Sequence, residues 1–139
     1  MTIHTERFTL RTKGFTDVHD ITPHLQKLVK RAGIASGTAV AFVPGSTASI
    51  TTIEFESGAI GDLRDAIERI APQSLHYEHN ARWGDGNGFA HVRSALLGPS
   101  VSIPVVDGAL ALGTWQQVIL VDFDNRPRQR EVVIQCSGE

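Results

Sequence analysis

His76, Glu78, His79, Asp85, Asn87 and His91 crowd into the sixteen residues from His76 to His91. Imidazole and carboxylate groups are natural ligands for a borderline metal such as zinc. They are also the usual proton-transfer pair, because their pKa values move readily toward neutrality. His79 and His91 are too far apart to share one helical turn, so spacing alone does not join them. The same residues have a second reading, in which Asp85-Gly-Asn-Gly is a turn and Asn87 caps a helix that begins near Phe89. A calcium-binding EF-hand is a poor fit: Phe89 stands where the third oxygen ligand belongs, and Leu96 stands where the bidentate glutamate belongs.

Two further segments carry chemistry. In Pro44-Gly45-Ser46-Thr47-Ala48, glycine allows close backbone approach and two hydroxyls add donors, so the turn can cradle phosphate through N–H groups. It lacks the Gly-Lys-Ser/Thr of a P-loop, and its other reading is an ordinary link between strands. The second segment runs from Gly113-Thr-Trp-Gln-Gln to Asp122-Phe-Asp-Asn-Arg-Pro-Arg-Gln-Arg. Arg126, Arg128 and Arg130 suit forked anion binding, or form the solvated face of an edge strand. Trp115 reads as core, and Gln116 as the neighbour placed to meet a ligand. Cys136 has no adjacent histidine or basic residue and reads as a buried small side chain.

The elements that must position these residues follow from periodicity. Residues 3–11 alternate as an edge or half-buried strand. Thr22-Pro23 predicts a helix start with Thr22 as cap, an apolar face at Ile21, Leu25, Leu28, Val29 and Ala32, and a stop at Gly33. Residues 38–43 read as a buried strand and Ala48 to Glu54 as another. A second helix is expected over 58–71, starting near Ser57, with Ile60, Leu63, Ile67 and Ile70 on one face. Residues 76–88 read as a polar loop and 89–97 as a short helix. Strands are expected at 100–106, 109–112, 116–123 and 129–136, with a hairpin at Asp107-Gly108. The fold class is α+β: one compact domain over 1–139, with largely antiparallel sheets and two or three helices.

Composition sets the bounds. A chain of 139 residues, 41% hydrophobic and 20% charged, suits one globular domain. A net charge of -2, with both signs dispersed, gives no footprint for nucleic acid or anionic membrane. One cysteine, no apolar segment after Met1 and no membrane-length apolar run place the expected location in the cytoplasm.

Several motifs in one order over nearly the whole chain resemble the YjbQ-like family, described as secondary thiamine-phosphate synthase-type proteins. They are Val-Pro-Gly-Ser-Thr-Ala (43–48), Tyr77-Glu-His79-Asn80, Asp85-Gly-Asn87-Gly, His91-Val-Arg-Ser-Ala-Leu-Leu-Gly-Pro-Ser100, Leu112-Gly-Thr-Trp-Gln116 and Asp122-Phe-Asp-Asn-Arg-Pro-Arg128. The family pattern has His-Thr-Thr-Ala where this chain has Gly45-Ser46-Thr47-Ala48, and Asn-Glu where it has Ile53-Glu54. The resemblance carries over Thr47, Glu54, His79, Asp85, Asn87, His91 and Gln116 as site positions. It implies a homotrimer with sites near subunit boundaries and a weak thiamine-phosphate-forming activity. With one family histidine replaced, either the site binds metal differently or this branch binds none. In the first case His79, His91 and a carboxylate, Asp85 or Glu54, hold zinc or magnesium. Restoring histidine at position 45 is then expected to tighten zinc binding.

The leading expectation is an enzyme acting on a small phosphorylated or pyrophosphorylated metabolite. Gly45, Ser46, Thr47 and an arginine such as Arg128 hold its phosphate, with Gln116 at the ligand. His79, His91, Asp85, Glu54 and Asn87 form the reacting centre. The alternative is an oligomeric module that binds a metabolite or metal without turnover.

Overall fold

A short, almost wholly apolar strand lies at the centre of the fold, and its two faces explain the layering. The computed structural model describes residues 1–139. The strands are β1 (Thr2–Thr12), β2 (Asp17–Asp20), β3 (Gly37–Phe42), β4 (Ala48–Ile53), β5 (Ser100–Val106), β6 (Ala109–Leu110), β7 (Gln117–Asp122) and β8 (Arg128–Gly138). The helices are α1 (Thr22–Ala32), α2 (Ser57–Ile70), α3 (Glu78–Trp83) and α4 (Gly88–Leu97). One sheet has the order β1-β8-β3-β5-β6 and the other β2-β7-β4. All strand pairings are antiparallel.

Successive strand residues point to opposite faces. Val118 and Leu120 of β7 therefore join the main core of α1 and the five-stranded sheet, with Leu25, Leu28, Ala41, Ile103 and Ile134. Ile119, Val121 and Phe123 join a second core with Ile67 of α2 and Phe89 and Ala90 of α4. The small sheet is thus covered on both sides. No helix is long and apolar enough to cross a membrane.

The sequence places the two long helices and every strand except β2 within a residue or two; β2 (Asp17–Asp20) is absent from the sequence reading, and the structure corrects several further details. There are four helices, not two or three, because α3 forms inside the expected polar loop. None of its residues is buried, so it has no apolar period to reveal it. Thr22 is not a cap: the Asp20 carboxylate accepts from its N–H (2.9 Å), while its hydroxyl accepts from Val118 N (2.8 Å). Helix α2 begins at Ser57 as expected, and Glu56 caps it through its side chain. Trp115 is not core but 72% exposed. Asp107 and Gly108 do form the hairpin turn, both with positive φ (50° and 77°).

Candidate functional site

The chain folds back on itself between α3 and α4, and this reversal brings distant residues together. His79 lies in the first turn of α3 and His91 in the first turn of α4, with Asp85 in the link. Asp85 Oδ1 accepts from Asn87 N (3.1 Å), and its backbone oxygen accepts from Asn125 Nδ2 (2.8 Å). Asn80 Oδ1 accepts from Gly88 N (2.8 Å), which ties the helices to each other. The imidazole rings then lie 4.3 Å apart, centroid to centroid. One ligand atom from each of His79, Asp85 and His91 falls within 4.8 Å of the other two.

His79 Nδ1 sits 3.2 Å from Asp85 Oδ1 but is not aligned for a hydrogen bond, and it is buried without another partner. An imidazole nitrogen and a carboxylate oxygen that approach without bonding fit a donor set facing a third body. Two imidazoles and a carboxylate also match what zinc accepts. His91 is held below its ordinary imidazole value by burial first and then by His79, with Asp85 and Asp124 opposing. It is therefore neutral near pH 7, the form that donates a lone pair.

A buried polar network lies behind this cluster. Asn87 occupies the cap position of α4, yet its side chain does not cap. Its Nδ2 donates to Asp124 Oδ2 (3.1 Å), and its Oδ1 accepts from Asn125 N (3.1 Å). Asp124 Oδ2 also accepts from Thr47 Oγ1 (2.9 Å) and Arg128 Nε (3.0 Å), while Oδ1 is buried and unpartnered. Burial pushes the Asp124 carboxyl upward, but the bonds from Thr47, Asn87 and Arg128 outweigh it and hold the pKa below the ordinary value. Arg130 grips Asp122 with a fork (2.6 and 3.0 Å) and donates to Thr47 Oγ1 (2.6 Å). The expectation of a solvated arginine face thus fails at Arg130, which Asp122 draws into the interior.

The turn at 44–47 adjoins this network. Ser46 is exposed and Thr47 buried. The N–H groups of Gly45, Ser46 and Thr47 meet no acceptor in the chain. Arg130 Nη1 lies 3.2 Å from where a Cβ on Gly45 would stand, and Gly45 has φ 141°, a region that side chains rarely adopt. A histidine at 45 would meet both obstacles, contrary to the expectation that it would simply restore a ligand.

Glu54 and Gln116 are elsewhere. Strands β4 and β7 pair Ala48 with Asp122 at one end and Ile53 with Gln117 at the other. Thr47 and Glu54 are therefore separated by the length of the strand, about 20 Å. Gln116 is tied to Glu54's end: its Oε1 accepts from Gly113 N (3.0 Å) and its Nε2 donates to Thr52 (3.2 Å). Within one chain, the histidine cluster has neither residue. Sequence reasoning passed over Asp122 and Asp124 as site residues. The available signal was two carboxylates flanking Phe123, followed by Arg128 and Arg130 at the spacing that pairs them.

Comparison with known proteins bears on the family and the fold. The family described as "UPF0047 protein YjbQ-like" matches residues 6–139. A UPF0047 protein of Methanothermobacter thermautotrophicus is 33% identical over 139 residues, covering 100% of this chain and 95% of its own. One from Synechocystis is 35% identical, covering 98% and 92%. Among solved structures, a YbjQ-like protein of unknown function from Sulfolobus solfataricus superposes with a TM-score of 0.94 at 30% identity, covering 99% of each chain. A conserved hypothetical protein from Thermus thermophilus gives a TM-score of 0.73 at 30% identity, covering 91% and 97%.

Proposed function

The chain belongs to the UPF0047 YjbQ-like family, and we propose that it is an enzyme acting on a small phosphorylated or pyrophosphorylated metabolite beside a divalent metal. The observation that carries this reading is the approach of His79, Asp85 and His91 to within 4.8 Å. These three residues would hold zinc, or magnesium with more water in its shell. A metal bound there supplies positive charge beside the phosphate.

The rest falls to the chain. The free N–H groups of Gly45, Ser46 and Thr47 bind phosphate oxygens, with the exposed end of Arg128 alongside. Thr47 contributes its N–H rather than its hydroxyl, which is already bonded to Asp124. His91, neutral near pH 7, is either a ligand or the proton acceptor. Asn87 fixes the link between the helices by bonding Asp124. Thiamine-phosphate formation is the first reaction to assay. In it a thiazole nitrogen attacks a pyrimidine methylene and pyrophosphate leaves with the bonding electron pair. Assembly as a cytoplasmic homotrimer belongs to the same reading and would bring Glu54 and Gln116 of one copy toward the histidines of the next.

Calorimetric titration with zinc, run beside a pyrophosphate-release assay, tests the proposal. Wild type should bind zinc at one site per chain, and His79→Ala and His91→Ala should lose that binding while remaining folded. Binding without turnover of any phosphorylated substrate would reduce the protein to a binding module. No zinc or magnesium binding would remove the metal.

A further inference from the structure

Two buried aspartates flank Phe123, and they are satisfied in opposite ways. Asp122 spreads its donors over both oxygens: Oδ2 accepts from Thr12 Oγ1 and Arg130 Nε (both 2.6 Å), and Oδ1 from Arg130 Nη2 and Asp124 N (both 3.0 Å). Asp124 is loaded on one side. Its Oδ2 takes Thr47 Oγ1, Asn87 Nδ2 and Arg128 Nε, while Oδ1 is buried with no donor. A bare buried carboxylate oxygen is costly, so this arrangement asks for a reason other than stability.

The three donors come from three parts of the site. Thr47 ends the turn whose N–H groups are free. Asn87 opens α4 one turn before His91, and His91 N donates to Asn87 O (3.4 Å). Arg128 reaches Asp124 from a partly exposed position. One carboxylate oxygen thus joins the helix that carries a metal ligand to the turn that would hold the anion. The fold does not hang on this junction alone: Ser49 Oγ donates to Ser94 O (2.8 Å) and Ser94 Oγ to Ala48 O (2.6 Å), which hold β4 against α4.

We infer that Asp124 is a positioning residue through which metal binding and anion binding are coupled. This rests on the phosphate-and-metal reading above and adds that the two sites fill as one. A metal that fixes His91 also fixes the first turn of α4 and with it Asn87. Asp124 passes that constraint to Thr47, so the Gly45–Thr47 turn is ordered before the anion arrives, and the ordering cost of binding falls. The coupling is reciprocal: the anion tightens the metal by the same factor, typically about 5–150-fold for coupled sites.

The test is calorimetric titration of zinc at fixed pH and ionic strength, in chloride and in saturating sulfate. Sulfate is the probe because it stands in for phosphate and holds zinc weakly in solution. Wild type should bind zinc about tenfold more tightly in sulfate than in chloride. Asp124→Ala should lose that ratio, and Asp124→Asn, which keeps an oxygen acceptor for Thr47 and Asn87, should retain most of it. Thr47→Val cuts the path on the turn's side and should also lose the ratio, with zinc affinity in chloride unchanged; it decides the matter if Asp124→Ala fails to fold. A ratio that survives in Asp124→Ala or in Thr47→Val would mean that the two charges simply attract, and overturns the inference. So does a fall in zinc affinity of equal size in both media, which is the mark of a merely structural residue. Zinc binding with no sulfate effect in wild type removes this inference and leaves the metal reading standing; no zinc binding at all removes both.

Discussion

Gly45 is the position at which the motif resemblance implies a histidine, and the backbone shows what a side chain there would meet. Its φ of 141° and the nearby Arg130 Nη1 leave no room for a Cβ without movement. Gly45→Ala should lower stability by about 1–3 kcal/mol in urea denaturation. Gly45→His should be destabilised similarly and gain no zinc affinity; tighter zinc binding by calorimetry would show that the turn readily adopts another conformation. The network behind the turn makes a larger prediction. Arg130 and Asp122 are buried and forked together. Removing one partner of such a pair strands the other charge, so Arg130→Met should cost about 3–5 kcal/mol. A loss below about 1 kcal/mol in the same experiment would mean that water reaches the Asp122 carboxylate.

At the scale of elements, legibility followed apolar periodicity. The buried face of α1, the continuous apolar run of β7 and the alternation of β1 were readable because burial imposes those periods. Helix α3 was not, since it buries nothing. The Thr22 cap was misread because the Asp20 carboxylate takes the Thr22 N–H and the Thr22 hydroxyl accepts from Val118 N. The approach of His79 to His91 depends on a turn between two helices, which no spacing rule encodes. The contact between β1 and α1 carries a pH prediction. Phe8 of β1 stacks on His24 of α1, with centroids 3.7 Å apart and planes at 3°. Burial, then Lys27, lowers the His24 pKa from its ordinary 6.5, with Glu6 opposing. The unfolded chain therefore takes up this proton at higher pH than the folded chain does. The contribution of His24 is complete above the unfolded value and is lost as pH falls through the folded one. Wild type should lose more Tm between about pH 7.5 and about pH 5 than His24→Phe, which keeps the stack but cannot titrate. Equal losses in the two proteins would rule His24 out as the source.

For the whole molecule, the question is how the two ends of the small sheet relate. One end holds Thr47 and Asp122 beside the histidine cluster, and the other holds Glu54 and Gln116. A chain cannot close that gap by itself, but a head-to-tail ring can, because each copy then sets one end against the other end of its neighbour. Ile70, Leu96 and Trp115 are each more than half exposed, so apolar area is available for association to cover. The proposed assembly has three copies, so sedimentation at micromolar concentration should give a trimer. The stronger test is complementation. Glu54→Ala and His91→Ala should each be inactive alone, since every site in such a ring lacks one contribution. In a randomly reassembled mixture of the two, about a quarter of the boundaries join an intact His91 to an intact Glu54, so about a quarter of wild-type activity should return. Recovery of none, with both variants trimeric, would place Glu54 outside the site and leave each chain to work alone.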